Sequence, residues 1–109
     1  MPERSLWIGV LIQALTDWED FNRTGRPRLG AGNTKYNKQV AIERLRWFFF
    51  EPEEEEHNLQ WIAANVARDK AAMINAVSYV LENGIKLKQL HTVNWDNKRY
   101  NKNLRVHKH

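Results

Sequence analysis

With 109 residues and no cysteine, the chain is long enough for one modest core but has no disulfide or thiolate metal site to brace it. The apolar run LWIGVLIQAL is about half a membrane span and includes Gln13, so neither a transmembrane helix nor a secretory signal is expected, and the expected location is cytoplasmic. The net charge of +4 is unevenly spread. Residues 22–38 carry Arg23, Arg26, Arg28, Lys35 and Lys38 with no acid. Residues 84–109 carry Lys86, Lys88, Lys98, Arg99, Lys102, Arg105 and Lys108 against Asp96 alone, while the middle of the chain holds EPEEEE. Two basic segments around a near-neutral body point to a polyanionic partner, the plainer explanation being solubility.

Leu6, Trp7, Val10, Leu11, Ala14, Leu15, Trp18 and Phe21 recur at spacings of three and four, which predicts an amphipathic helix from Pro2 to about Phe21. Pro2 suits a first helical turn. NRTGRPRLGAGNTKYN then reads as a basic, glycine-spaced loop. It lacks the Gly-Lys-Ser/Thr ending of a phosphate-binding loop, and no strand precedes it. A second helix capped by Asn37 or Thr34 is expected to run to about Phe50, with Val40, Ala41, Leu45, Phe48 and Phe49 inward. RWFFF is read as core, its sharper alternative being a stacking platform for bases. The acids of EPEEEEHN precede Asn58, a plausible N-cap, and suit the positive start of a helix. Consecutive residues on a loop seldom converge on a metal, so no metal site is expected at Glu53, Glu54, Glu55, Glu56 and His57.

WIAANVARDKAAMINAV poses the central question, whether the chain runs straight or bends. Leu59, Ile62, Ala63 and Val66 form one stripe; Ala72, Met73, Ala76, Val77, Val80 and Leu81 resume it in a shifted phase after Ala67, Arg68, Asp69 and Lys70. Asp69 can cap a new helix, and Asn83-Gly84 can close it in the left-handed manner. Two helices of about nine and about thirteen residues joined by a tight turn are therefore expected, a helix-turn-helix over about 58–83. Its spacing places the small Ala63 where the helices touch. Ala67, where glycine is common, and Arg68, where an apolar residue is usual, depart from that motif, and a plain helical hairpin is the competing reading.

SLWIGVLIQALTDW, AIERLRWFF, an acidic patch and LQWIAANVARDKAAM, in that order, resemble a group of small phage and prophage proteins. The likeness covers about Leu6 to Ile74. Trp61, Ile62, Val66 and Asp69 agree with the group's last motif, while Ala63, Ala67, Arg68 and Lys70 stand where it tends to have Cys, Gly, Leu and Pro. The resemblance implies a phage-related origin, hence a bacterial host cell, and a helix-turn-helix-like core. It supplies no activity.

After Gly84 the pattern alternates in part (Ile85, Leu87, His91, Val93, Trp95), and LRVHK alternates again. A β-hairpin wing, an arm packed through Trp95 and Leu104, and a basic tail remain equally open. The expected architecture is thus mainly α, a compact four-helix domain over 1–84 with a helix-turn-helix-like hairpin, followed by a basic C-terminal extension over 85–109. Catalysis finds little support. Ser5 and Ser78 have no histidine at helical spacing; Asp17, Glu19 and Asp20 could in principle bind magnesium, but Asp17 and Asp20 read as ordinary exposed residues opposite the apolar stripe. No enzyme activity and no cofactor are expected.

The leading expectation is nucleic-acid binding, to DNA rather than RNA. Lys70, Ala71, Ile74, Asn75 and Ser78 would face the groove, and Arg23, Arg26, Arg28, Lys86, Lys88, Lys98, Arg99, Lys102 and Arg105 would hold phosphates. Asn75 is the natural base reader. A homodimer is compatible with this. The alternative is a phage inhibitor that contacts a host nucleic-acid enzyme or defence complex, with the acidic run 53–56 and Ile74 as candidate protein contacts.

Overall fold

The computed structural model describes residues 3–24 and 35–96. Four α-helices follow in order, α1 (Arg4–Thr24), α2 (Lys35–Phe50), α3 (Leu59–Asn65) and α4 (Lys70–Asn83), and then a 3-10 turn at Leu87–Gln89. No strand occurs among the described residues. Pro2 and Thr34 lie outside them, and Asn37 is inside α2 rather than capping it.

The stripe read along α1 is the face that binds the helices together. Leu11 and Leu15 are fully buried. Toward one end, Trp7 meets Trp61 of α3 edge-on, ring centroids 5.0 Å apart. Toward the other, Trp18 meets Phe49 and Phe50 of α2 at 5.8 and 5.5 Å. Such edge-to-face contacts add about 1 kcal/mol each beyond the area they bury. Leu6 departs from the stripe and is 58% exposed. A residue five positions before Leu11 is turned about 140° away from it, past the edge of the core-facing side.

Phe48 and Phe49 of α2, Leu59, Ile62 and Ala63 of α3, and Met73, Ala76, Val77 and Val80 of α4 complete the helical part of the core. α3 packs against both α2 and α4. The loop before it is organised by Asn58, whose side chain is buried and bonded through both its oxygen and its nitrogen. Its Oδ1 accepts from the amides of Glu55 (3.2 Å) and Trp61 (2.9 Å), and its Nδ2 donates to the Glu53 carbonyl at 2.9 Å. One residue thus caps α3 and shapes the acidic loop. His57 takes a positive φ of 74° at this bend, its ring stacked on Trp7 at 4.8 Å.

The helical run breaks where the shifted phase predicts. Val66 ends α3, its N–H donating to the Ile62 carbonyl at 2.8 Å. Asp69 adopts an extended conformation and accepts from the Ala72 amide at 3.0 Å, capping α4. Ala63, almost wholly buried, lets the two helices approach. At the far end of α4, Gly84 has φ 78° and ψ 168°. This differs from the left-handed closure expected, in which ψ would be near +47°. The combination is open essentially to glycine alone and sends the chain out extended. The Glu19 carboxylate of α1 lies beside Gly84 and accepts the Ile85 N–H.

The core continues past Gly84. Leu90 and Trp95 are buried in it, and the Trp95 indole N–H donates to the Leu90 carbonyl at 3.2 Å. Residues 85–96 form an arm, shaped by turns rather than by a hairpin: the Gln89 amide donates to Lys86 and the Thr92 amide to Gln89. Leu104 lies outside the described residues. The arm ends on Asp96, which is almost wholly buried. Its Oδ2 accepts from Arg4 Nε (2.9 Å) and from the Arg68 amide (3.0 Å), and its Oδ1 accepts from Arg4 Nη2 at 2.5 Å. Arg4 opens α1 and Arg68 lies in the α3–α4 turn, so one carboxylate ties together three distant parts of the chain.

Burial pushes the Asp96 carboxyl up, but the Arg4 fork and the Arg68 amide outweigh it and hold it below the usual carboxylate range. A depressed carboxylate stabilises the fold above its unfolded value, near 4, and loses that effect as pH falls through its folded value. Asp96→Asn should therefore cost about 2–3 kcal/mol at pH 7 in urea denaturation, with the deficit shrinking below about pH 4. Glu19 has the opposite sign. Its carboxyl is raised by desolvation, only partly countered by the Ile85 amide, so its ionised form is a burden at neutral pH. Glu19→Gln keeps an acceptor for that amide and should raise the melting temperature at pH 7, the gain disappearing below about pH 4.

Candidate nucleic-acid interface

The bend at residues 66–69 decides what α4 can present. Ala72, Met73, Ala76, Val77 and Val80 are taken into the core, which leaves the opposite side of the helix in solvent. Ala71, Asn75, Ser78 and Glu82 are all exposed. Their spacings of four, three and four align them in one stripe along the helix. Asn75, the expected base reader, sits in the middle of that stripe with its side chain free of the core. An amide there can donate and accept at once, which is what bidentate recognition of an adenine edge requires.

Lys70 and Ile74, four residues apart, lie on a neighbouring flank. Lys70 is exposed. Ile74 departs from the expectation that it faces outward, since it is half-buried and packs against the core. One step along a helix turns the side chain by about 100°, so Ile74 meets the core while Asn75 stands in solvent. Half-burial also leaves Ile74 less exposed than its reading as a protein contact expected.

Arg68 belongs to this surface, although its charge looked like a departure from the motif. Its backbone N–H is bonded to Asp96 and its side chain is exposed, so the guanidinium leaves the turn just before α4. A charged residue at a turn position that is usually apolar was the available signal. Tyr79, half-buried beside Asn75 on the helix, can offer a further hydroxyl. Glu82 is the unfavourable member, an exposed acid on the last turn of the stripe.

Lys86 and Lys88 are exposed at the start of the arm, beyond the far end of α4. A fourteen-residue helix is about 20 Å long, so α4 has cationic side chains beyond both ends of an uncharged central stripe. Arg23 is different. It leaves the end of α1 with its side chain 70% exposed, paired to buried Asp20 at 2.7 Å. Arg26, Arg28, Lys98, Arg99, Lys102 and Arg105 lie outside the described residues.

The acids of α1 are engaged separately, and Asp20, expected to be exposed, is buried while Asp17 is half-buried. Asp17 accepts from Gln13 at 3.0 Å, Glu19 faces Ile85, and Asp20 pairs with Arg23. Among the described residues, no three His, Asp or Glu side chains converge in a way that could hold a metal ion. No helix among them is long and apolar enough to cross a membrane.

Comparison with known protein families, with curated proteins and with solved structures returns no match to this chain.

Proposed function

We propose that the chain is a small phage-type protein that binds nucleic acid through α3 and α4, with α4 lying in the major groove of DNA inside a bacterial host cell. The observation that supports this reading is the uncovered stripe Ala71, Asn75 and Ser78, flanked at the helix start by exposed Arg68 and Lys70 and beyond its end by exposed Lys86 and Lys88. Asn75 reads a base edge, and the four cations approach phosphates on either side of the groove. DNA is favoured over RNA because the A-form major groove is too deep and narrow for a helix to read. No catalytic step is part of this reading.

Binding through four phosphate contacts releases condensed counterions, so affinity for a 20-base-pair duplex should fall steeply as salt rises from about 50 to 200 mM. In fluorescence anisotropy, the double variant Lys86→Ala/Lys88→Ala should weaken binding to all sequences and flatten the log–log salt slope by about 2. Asn75→Ala should leave the slope intact and reduce discrimination between sequences by about 1–3 kcal/mol. Absence of duplex binding at the lowest salt would remove the proposal.

A further inference from the structure

The exposed face of α2 is unlike the rest of the surface. Trp47 is 39% and Phe50 is 55% exposed, and three positions apart they share one side of the helix. Glu43, one turn before Trp47, continues that side and is exposed. The acidic loop then returns to Trp47. The Glu51 amide donates to the Trp47 carbonyl at 3.2 Å, and the Trp47 indole N–H donates to Glu55 Oε2 at 2.9 Å. Because Asn58 holds the backbone at Glu53 and Glu55 from the core side, the loop is shaped; Glu55 is bonded to Trp47, and Glu53, Glu54 and Glu56 are exposed on the same short loop. Among the residues of α2 whose exposure is described, Arg44 and Arg46 are the exposed cations, and Arg46, one turn before Phe50, lies on this side. The exposed acids Glu43, Glu53, Glu54, Glu55 and Glu56 outnumber them.

We infer that Trp47 and Phe50, with the adjoining acidic loop that carries Glu51, Glu53, Glu54 and Glu56, are a docking surface for a basic, apolar-bearing segment of another protein. Charge complementarity selects the occupant. Nucleic acid and anionic lipid are repelled by the glutamates, whereas a lysine- or arginine-rich segment neutralises them while its apolar residues cover the rings. A partly exposed tryptophan and phenylalanine on one helix side, with a charged loop joined to it through Glu55, match the aromatic-anchor and polar-edge anatomy of protein interfaces. Crowded glutamates also repel one another in the free protein, a cost that a cationic partner relieves. The surface lies on α2 and its following loop, and the inference stands apart from the reading of α4.

The test uses the whole chain and three synthetic fifteen-residue peptides: lysine alternating with leucine, lysine alternating with glycine, and glutamate alternating with leucine. Titrations are followed by calorimetry and by the Trp47 indole N–H resonance. The lysine–leucine peptide should bind and shift that resonance, and each of the other two should bind at least tenfold more weakly. Trp47→Ala and, separately, Glu53→Gln/Glu54→Gln/Glu56→Gln should each lower affinity tenfold or more. The triple glutamine variant retains Glu55 for the Trp47 bond and should melt no lower than the parent, which separates lost binding from lost folding. Arg68→Ala/Lys70→Ala should leave peptide binding unchanged. Equal binding of the lysine–glycine peptide would reduce the effect to bulk charge and overturn the inference. So would a shift of the Trp47 resonance by duplex DNA, or concentration-dependent dimerisation of the chain that Trp47→Ala abolishes.

Discussion

The structure depends on a carboxylate placed where water cannot reach it. An unpartnered Asp96 could not stay ionised in that position, because burial opposes its charge more strongly than any single neighbour favours it. It is tolerated only when the Arg4 fork and the Arg68 amide arrive together. The start of α1, the α3–α4 turn and the end of the arm therefore have one geometry in common. An ion pair with one buried member is weak as a source of net stability and strong as a constraint on arrangement, because wrong registers leave a buried charge or an amide without a partner. The Arg68 N–H is such a group. It lies in a turn, beyond the bonds of α3 and before those of α4, and the arm supplies its acceptor.

The shortness of α3 makes this constraint matter. Seven residues are far below the length at which a helix persists in water, since nucleation costs more than two turns of hydrogen bonds return. α3 exists because both ends are held and one face is buried. Asn58 caps its beginning from within the core, and the turn at its end is pinned through Arg68 to Asp96. Leu59, Ile62 and Ala63 supply the buried face. What α4 presents to solvent thus follows from contacts made largely by other elements. The arm, whose partial alternation left a wing, an arm and a tail open, is part of the frame that sets the pitch of the hairpin.

How much of this could be read beforehand divides by the range of the interaction. Caps are local, so Asn58 and Asp69 were legible, each bonding the amide three residues on. The bend was legible because a phase shift in a hydrophobic stripe has few other causes. Asp96 was not, because its partners lie 92 and 28 residues away and no pattern in one sequence joins them. RWFFF was legible only in part. Consecutive helical residues fan out by about 100° each, so a run of four aromatics cannot all point inward, and Trp47 and Phe50 had to emerge while Phe48 and Phe49 were buried. The same geometry separates Ile74 from Asn75. At Gly84 the residue type was right and the conformation was not, because the arm leaves the helix extended instead of curling back.

These positions also order the surface by charge. α3 stands between α2 and α4, so the exposed Trp47 and the stripe around Asn75 belong to helices that meet through it. Along α4 itself the two ends are not equivalent. Lys70 and Arg68 at the start have no exposed acid on the first turn beside them, since Asp69 is half-buried and committed to the Ala72 amide. At the other end Glu82 shares the stripe, and Lys86 and Lys88 must offset it before they can attract a phosphate. A polyanion approaching α4 would therefore be drawn first to its leading turns. Helix-turn-helix readers touch base edges with that part of the helix, so the local charge and the proposed docking geometry favour the same end.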